Sequence, residues 1–126
     1  MAAFITPVLA NDGSDILPVT GTFYTALISN LDANRFDNWQ FYIEFFSDAG
    51  ATIPVTPTAG TIDVAASPMG NNYLTASNVA TIQANACSSP NSSYTPPAAE
   101  GAMARGRIIL SGITGAVTCR AIFRRF

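Results

Sequence analysis

Trp39-Gln40-Phe41-Tyr42-Ile43-Glu44-Phe45-Phe46 decides the fold class of this chain. The stretch is aromatic and β-branched, holds no glycine or proline, and alternates. Trp39, Phe41, Ile43 and Phe45 share one face, with Gln40, Tyr42, Glu44 and Phe46 on the other. A period of two belongs to a strand that lays one face on a core. Ser47-Asp48-Ala49-Gly50 then supplies turn residues, and Ala51-Thr52-Ile53-Pro54-Val55 reads as a short return strand. Pro54 has no N–H for a ladder, so that strand stands at a sheet edge or ends there. The outward aromatics Tyr42 and Phe46 need a second layer or a partner subunit to cover them.

The same signals recur outward from this strand. Gly21-Thr22-Phe23-Tyr24-Thr25-Ala26-Leu27-Ile28 reads as a strand upstream. Downstream, Thr56-Pro57-Thr58-Ala59-Gly60 turns the chain into a strand at Thr61-Ile62-Asp63-Val64-Ala65. Gly106–Ser111 and Ala116–Phe123 read as two closing strands, with Ser111-Gly112-Ile113-Thr114-Gly115 as hairpin-type turn residues between them. In the last strand Val117, Cys119, Ala121 and Phe123 alternate with Thr118, Arg120, Ile122 and Arg124. Tyr73 to Ala86 fits either a short helix capped by Thr75 or Ser77, or a strand through Val79-Ala80-Thr81-Ile82. Residues 87–104 read as a long polar loop that carries function or reaches onto a neighbour, and residues 1–15 as an N-terminal arm. About seven short strands with little or no helix predict an all-β fold, an antiparallel β-sandwich of jelly-roll-like type. No repeat or linker divides the chain, so residues 1–126 read as one domain.

Composition excludes most chemistry. The 126 residues include no histidine, no lysine and two cysteines, Cys87 and Cys119. Ser–His–Asp and Cys–His machinery needs an imidazole, and a protein zinc site needs several His or Cys ligands. No enzymatic activity, cofactor or metal is therefore expected. Acid–base work would fall to carboxylates such as Glu44 with Asp48 or Asp37, whose spacing alone establishes no cleft; they read instead as solvated groups or arginine partners. Asn11-Asp12-Gly13-Ser14-Asp15 resembles the opening of a calcium loop, but no glutamate closes it, and a plain Asp-Gly turn is the better reading. The first residues have no basic stretch and meet Pro7 early, unlike a signal peptide. Without export, the two thiols are expected to stay free, with Cys119 on the buried face of its strand. No apolar run is long enough to span a bilayer as a helix, and no membrane partner is expected.

Charged residues make up only 11% of the chain against 48% hydrophobic. A surface this poor in charge is neutral-polar or partly covered by partners. The net charge of −2 is unevenly laid out. Asp12, Asp15, Asp32, Asp37, Glu44, Asp48 and Asp63 precede the midpoint with Arg35 as their only base. Arg105, Arg107, Arg120, Arg124 and Arg125 crowd the last quarter, where no acid follows Glu100. Such ends meet within one fold or across copies in a head-to-tail assembly. The arginine-rich end with its aromatics could suit a single strand of nucleic acid. The chain as a whole is acidic, however, so docking to acidic protein surface fits better and no nucleic acid is expected.

The run from Phe45 to Thr61, followed by Ser111-Gly112-Ile113-Thr114-Gly115-Ala116 and an arginine-bearing last strand, resembles small virion proteins of tailed bacteriophages: capsid cement or decoration proteins and collar or fibre-base modules. The resemblance lies in Thr/Ala/Gly/Pro-rich hairpins, low charge and a strand at the very end. It implies a subunit of the virion, assembled in the host cytoplasm, that acts by binding the major capsid protein or other virion subunits and forms a homo-oligomer. Phe4, Ile5, Tyr94, Arg105, Arg120, Arg124, Arg125 and Phe126 are the expected protein contacts. The alternative it leaves open is a tail-fibre or collar module that binds a receptor or carbohydrate through Tyr42, Phe46, Tyr73 and Tyr94.

Overall fold

The computed structural model of the chain describes residues 4–26, 39–67, 79–86, 92–94 and 105–125. Ten strands lie among them: β1 (Phe4–Leu9), β2 (Leu17–Pro18), β3 (Gly21–Thr25), β4 (Trp39–Phe46), β5 (Pro54–Val55), β6 (Ala59–Ser67), β7 (Val79–Gln83), β8 (Ser92–Tyr94), β9 (Arg105–Thr114) and β10 (Thr118–Arg125). The helical element among the described residues is a single 3₁₀ turn, Ala84–Ala86. All strand pairings are antiparallel, so the fold is all-β. The ambiguity after Tyr73 resolves at its C-terminal part as strand β7; Thr75 and Ser77 lie outside the described residues.

Along the hydrogen-bonded path the strands run β5-β4-β10-β1-β3-β9-β6-β7, with β2 also on β10 and β8 also on β4. β1 joins two halves. Its Phe4–Pro7 segment pairs with Arg125–Ile122 of β10, after which Val8 and Leu9 pair with Thr25 and Tyr24 of β3. The N-terminal segment, expected as an arm, is thus a central strand from Phe4 onward. Its alternation explains why: Thr6 and Val8 are buried while Ile5 and Pro7 face out. The expected loop of 87–104 likewise holds a strand, β8, set against Phe41–Ile43 of β4.

The sheet curls so that its halves share one core. Phe41, Ile43 and Phe45 of β4 and Cys119, Ala121 and Phe123 of β10 pack with Phe23 of β3, Ile62 and Val64 of β6, and Ile108 and Leu110 of β9. Full burial of each large side chain contributes roughly 1.5–3 kcal/mol. Phe41 and Phe123 are register partners with ring centroids 5.3 Å apart at 56°, a tilted aromatic pair. The edge at β5 is as Pro54 predicted, since β5 ends the path.

Three expectations fail for a common reason: the chain turns a corner where strands end. The Ser111–Gly115 segment is no hairpin. β9 runs on to Thr114 and pairs with β3 and β6, whereas β10 pairs with β1, β2 and β4. The corner between them is held from both halves, by Thr58 N–H donating to the Thr114 carbonyl at 2.9 Å and Val117 N–H to the Phe46 carbonyl at 2.8 Å. Gly60 permits the corner: its φ is +116°, and a Cβ there would stand 2.6 Å from Ile113 Cα. Val117, expected in the core, lies in this corner and is 52% exposed, and Phe46, expected outside, is 5% exposed.

Candidate protein-interaction faces

Inward alternation leaves the outer face of the β4–β10–β1 half with an ordered set of register positions. Three rows cross it by register: Gln40–Arg124–Ile5, Tyr42–Ile122–Pro7, and Glu44–Arg120. Ser93 of β8 extends the middle row beside Tyr42. A groove of about 360 Å³ follows these rows, lined by Tyr42, Ile43, Glu44, Arg120, Ile122 and Arg124. Its floor is apolar and its ends are charged. Glu44 and Arg120 are directly opposed across the strands, where like charges would be destabilising and opposite ones are favourable. Neither side chain makes a hydrogen bond or ion pair among the described residues. Ile5, 56% exposed, extends the apolar surface past Arg124.

The other half presents a smaller face. Tyr24 of β3 is 41% exposed, and the Arg105 guanidinium lies 5.7 Å from its ring centroid. This is cation–π geometry, which orients a cation without removing its charge. Arg107 is the register partner of Tyr24. Farther along, Thr81 Oγ1 donates to Asp63 Oδ1 at 2.6 Å between β7 and β6.

The carboxylates considered for catalysis separate by role. Asp48 accepts from Thr52 Oγ1 at 2.5 Å and from the Thr52 and Ile53 backbone N–H groups at 2.9 Å each. The Thr52 hydroxyl first, and the Ile53 amide next, hold its carboxyl below the usual value of 3.8. Its oxygens close the loop between β4 and β5, while Glu44 faces the groove; Asp37 lies outside the described residues. Asp12 Oδ1 accepts the Ser14 N–H at 2.9 Å, and Gly13 takes φ +86°, so the Asn11–Asp15 segment is the Asp-Gly turn expected.

Of the expected contacts, the structure brings Ile5, Arg120 and Arg124 onto one face and sets Arg105 on the other. Phe4 and Arg125 are register partners, and Tyr94 is opposite Phe41; register alone places these three. Phe126, Cys87 and Tyr73 lie outside the described residues. Strand parity puts Ile122 outward but gives neither its place beside Tyr42 and Pro7 nor the Tyr24–Arg105 pair, because it shows which residues face out but not which strands adjoin. Phe46, counted among sugar-stacking rings, is buried and unavailable.

These features define an all-β antiparallel protein built on a curled sheet, with exposed apolar side chains such as Ile5 and Tyr24 and no helix, among the described residues, long and apolar enough to cross a membrane. The chain belongs to the family described as "Domain of unknown function (DUF7265)", which matches residues 12–124. No curated protein matches the sequence.

Proposed function

We propose that this protein is a structural virion protein of a tailed bacteriophage, a cement or decoration subunit that binds and reinforces the capsid without turnover. The observation that carries the reading is the presence of arginine and exposed apolar or aromatic groups on both outer faces. Arg120, Arg124, Ile5 and Tyr42 occupy one, and Arg105 with Tyr24 the other. Bridging requires two contact surfaces, and arginine with aromatic side chains is the pairing enriched at interfaces. A chain with only 11% charged residues suits a subunit that spends its life covered by neighbours. Its mechanism is mechanical: each bridge adds interface that must break before the shell opens, and mass action couples binding to particle stability. The tail-fibre or collar alternative loses the Phe46 ring, which is buried.

Co-sedimentation with capsids assembled without the protein tests the reading. Saturable binding that weakens in a Tyr24→Ala/Arg105→Gln variant is expected. Absence of binding to capsids, with retention on tail or fibre fractions, would overturn it.

A further inference from the structure

Between Ala51 and Val55 the β5 edge of the sheet has no backbone N–H left for another strand. Val117 N–H donates to the Phe46 carbonyl at 2.8 Å, so Phe46 turns its backbone toward β10. Pro54, opposite Phe46 on the other side, therefore belongs to a non-hydrogen-bonded pair of the antiparallel ladder, and its nitrogen points away from β4. The Ser47 N–H, which donates to the Ile53 carbonyl at 2.9 Å, has the phase this requires. The missing donor of Pro54 thus costs the ladder nothing and falls on the outermost side of the sheet. The same phase directs the Val55 N–H at its register partner Phe45.

The loop before β5 spends its donors inward as well. Thr52 and Ile53 each give their N–H to Asp48 Oδ1 at 2.9 Å, and Ala51 gives its own to the Asp48 carbonyl at 3.3 Å. Thr118 Oγ1 donates to that carbonyl at 2.7 Å and anchors the loop to β10. Ala51 is buried with φ +55°, a conformation that a residue other than glycine keeps only where its surroundings hold it. Farther along, β8 lies on β4 from Phe41 to Ile43. An edge with free N–H and C=O groups is a template for another chain, and this one is stripped of donors.

We infer that Pro54 and the Asp48 loop form an edge stop built into the fold, which keeps a strand of a second copy from adding to β5. The stop works by withholding donors at an exposed position. It does not rest on the capsid reading, and it is tested on the isolated protein.

The experiment is light scattering on the full chain over a range of concentrations, with melting curves alongside. Pro54→Thr returns one outward N–H and leaves the Asp48 loop intact. It should self-associate at concentrations at least about tenfold below wild type, reversibly on dilution and with the wild-type melting transition retained. Pro54→Ala returns the same N–H with the smallest side chain and should behave alike. Pro54→Lys returns the N–H but sets a charge on the edge, and should keep the wild-type mass. Masses of Pro54→Thr and Pro54→Ala that follow wild type at every concentration would overturn the edge stop. So would association that does not reverse on dilution, or that Pro54→Lys shows equally, since either would arise from unfolded chain or another surface.

Discussion

Cys119 places its Sγ 3.8 Å from the carbonyl oxygen of Pro18, at the point where β2 takes over from β1 as the neighbour of β10. The thiol is free, fully buried and part of the core, and burial pushes its pKa from 9.0 up to about 12. Below the unfolded value the group is neutral in both states and contributes nothing. Above it the unfolded chain gives up a proton that the folded chain keeps, so stability falls as pH rises between about 9 and about 12. From pH 7 to 10, wild type should lose about 1.4 kcal/mol more unfolding free energy than Cys119→Ala. Parallel losses in denaturant titrations would contradict the burial of this thiol.

Gly106 and Phe123 mark where the two halves of the sheet meet. A Cβ at position 106 would stand 2.5 Å from the Phe123 ring, with β9 and β10 facing each other across the core and not paired as neighbours. Gly106→Ala should cost about 1–3 kcal/mol through overpacking. In a Phe123→Leu background the same change should cost markedly less, since the offending ring is gone. Equal costs in both backgrounds, read from a double-mutant cycle, would show that the ring is not the obstacle.

Asp48 ties the β4–β5 loop to the Thr52 and Ile53 amides, and Thr118 Oγ1 donates to the Asp48 carbonyl at 2.7 Å. Because its carboxyl titrates below 3.8, the stabilisation it gives is present above that value and lost as pH falls through the lower folded pKa. Asp48→Asn should flatten the fall of melting temperature as pH drops below 3.8. The Thr52 and Ile53 amides should exchange faster in Asp48→Ala. An unchanged acid limb in the asparagine variant would refute the role.

Thr6 is 6% exposed, and its hydroxyl has no hydrogen-bond partner among the described residues. Thr6→Val keeps the shape and removes a desolvated polar atom, so stability should hold or rise by up to about 2 kcal/mol. A loss beyond about 1 kcal/mol would mean that the hydroxyl is satisfied in the folded protein.

Strand type was readable where one face of a strand meets the core along its whole length. β4 matches its expected bounds, and Cys119, Ala121 and Phe123 are buried as alternation requires. Parity fails at Phe46 and Val117 because both sit where the chain leaves one strand for a corner, and local geometry there no longer repeats every two residues. The mistaken hairpin at Ser111–Gly115 has the same origin: turn chemistry is identical whether the next strand pairs beside the last one or crosses to the other half. For the candidate faces, parity alone put Arg120, Arg124 and Tyr42 outward. That Glu44 opposes Arg120, and that Ile5 and Pro7 complete the face, depends on register between segments far apart in the chain, which no local pattern encodes.

The proposed bridging role is tested most directly by the rupture temperature of particles assembled with and without the protein, followed by release of packaged DNA. Particles that lack it should open at a lower temperature, and adding purified wild-type protein, but not the Tyr24→Ala/Arg105→Gln variant, should restore the difference. Equal rupture temperatures with and without the protein would contradict a reinforcing role on the capsid.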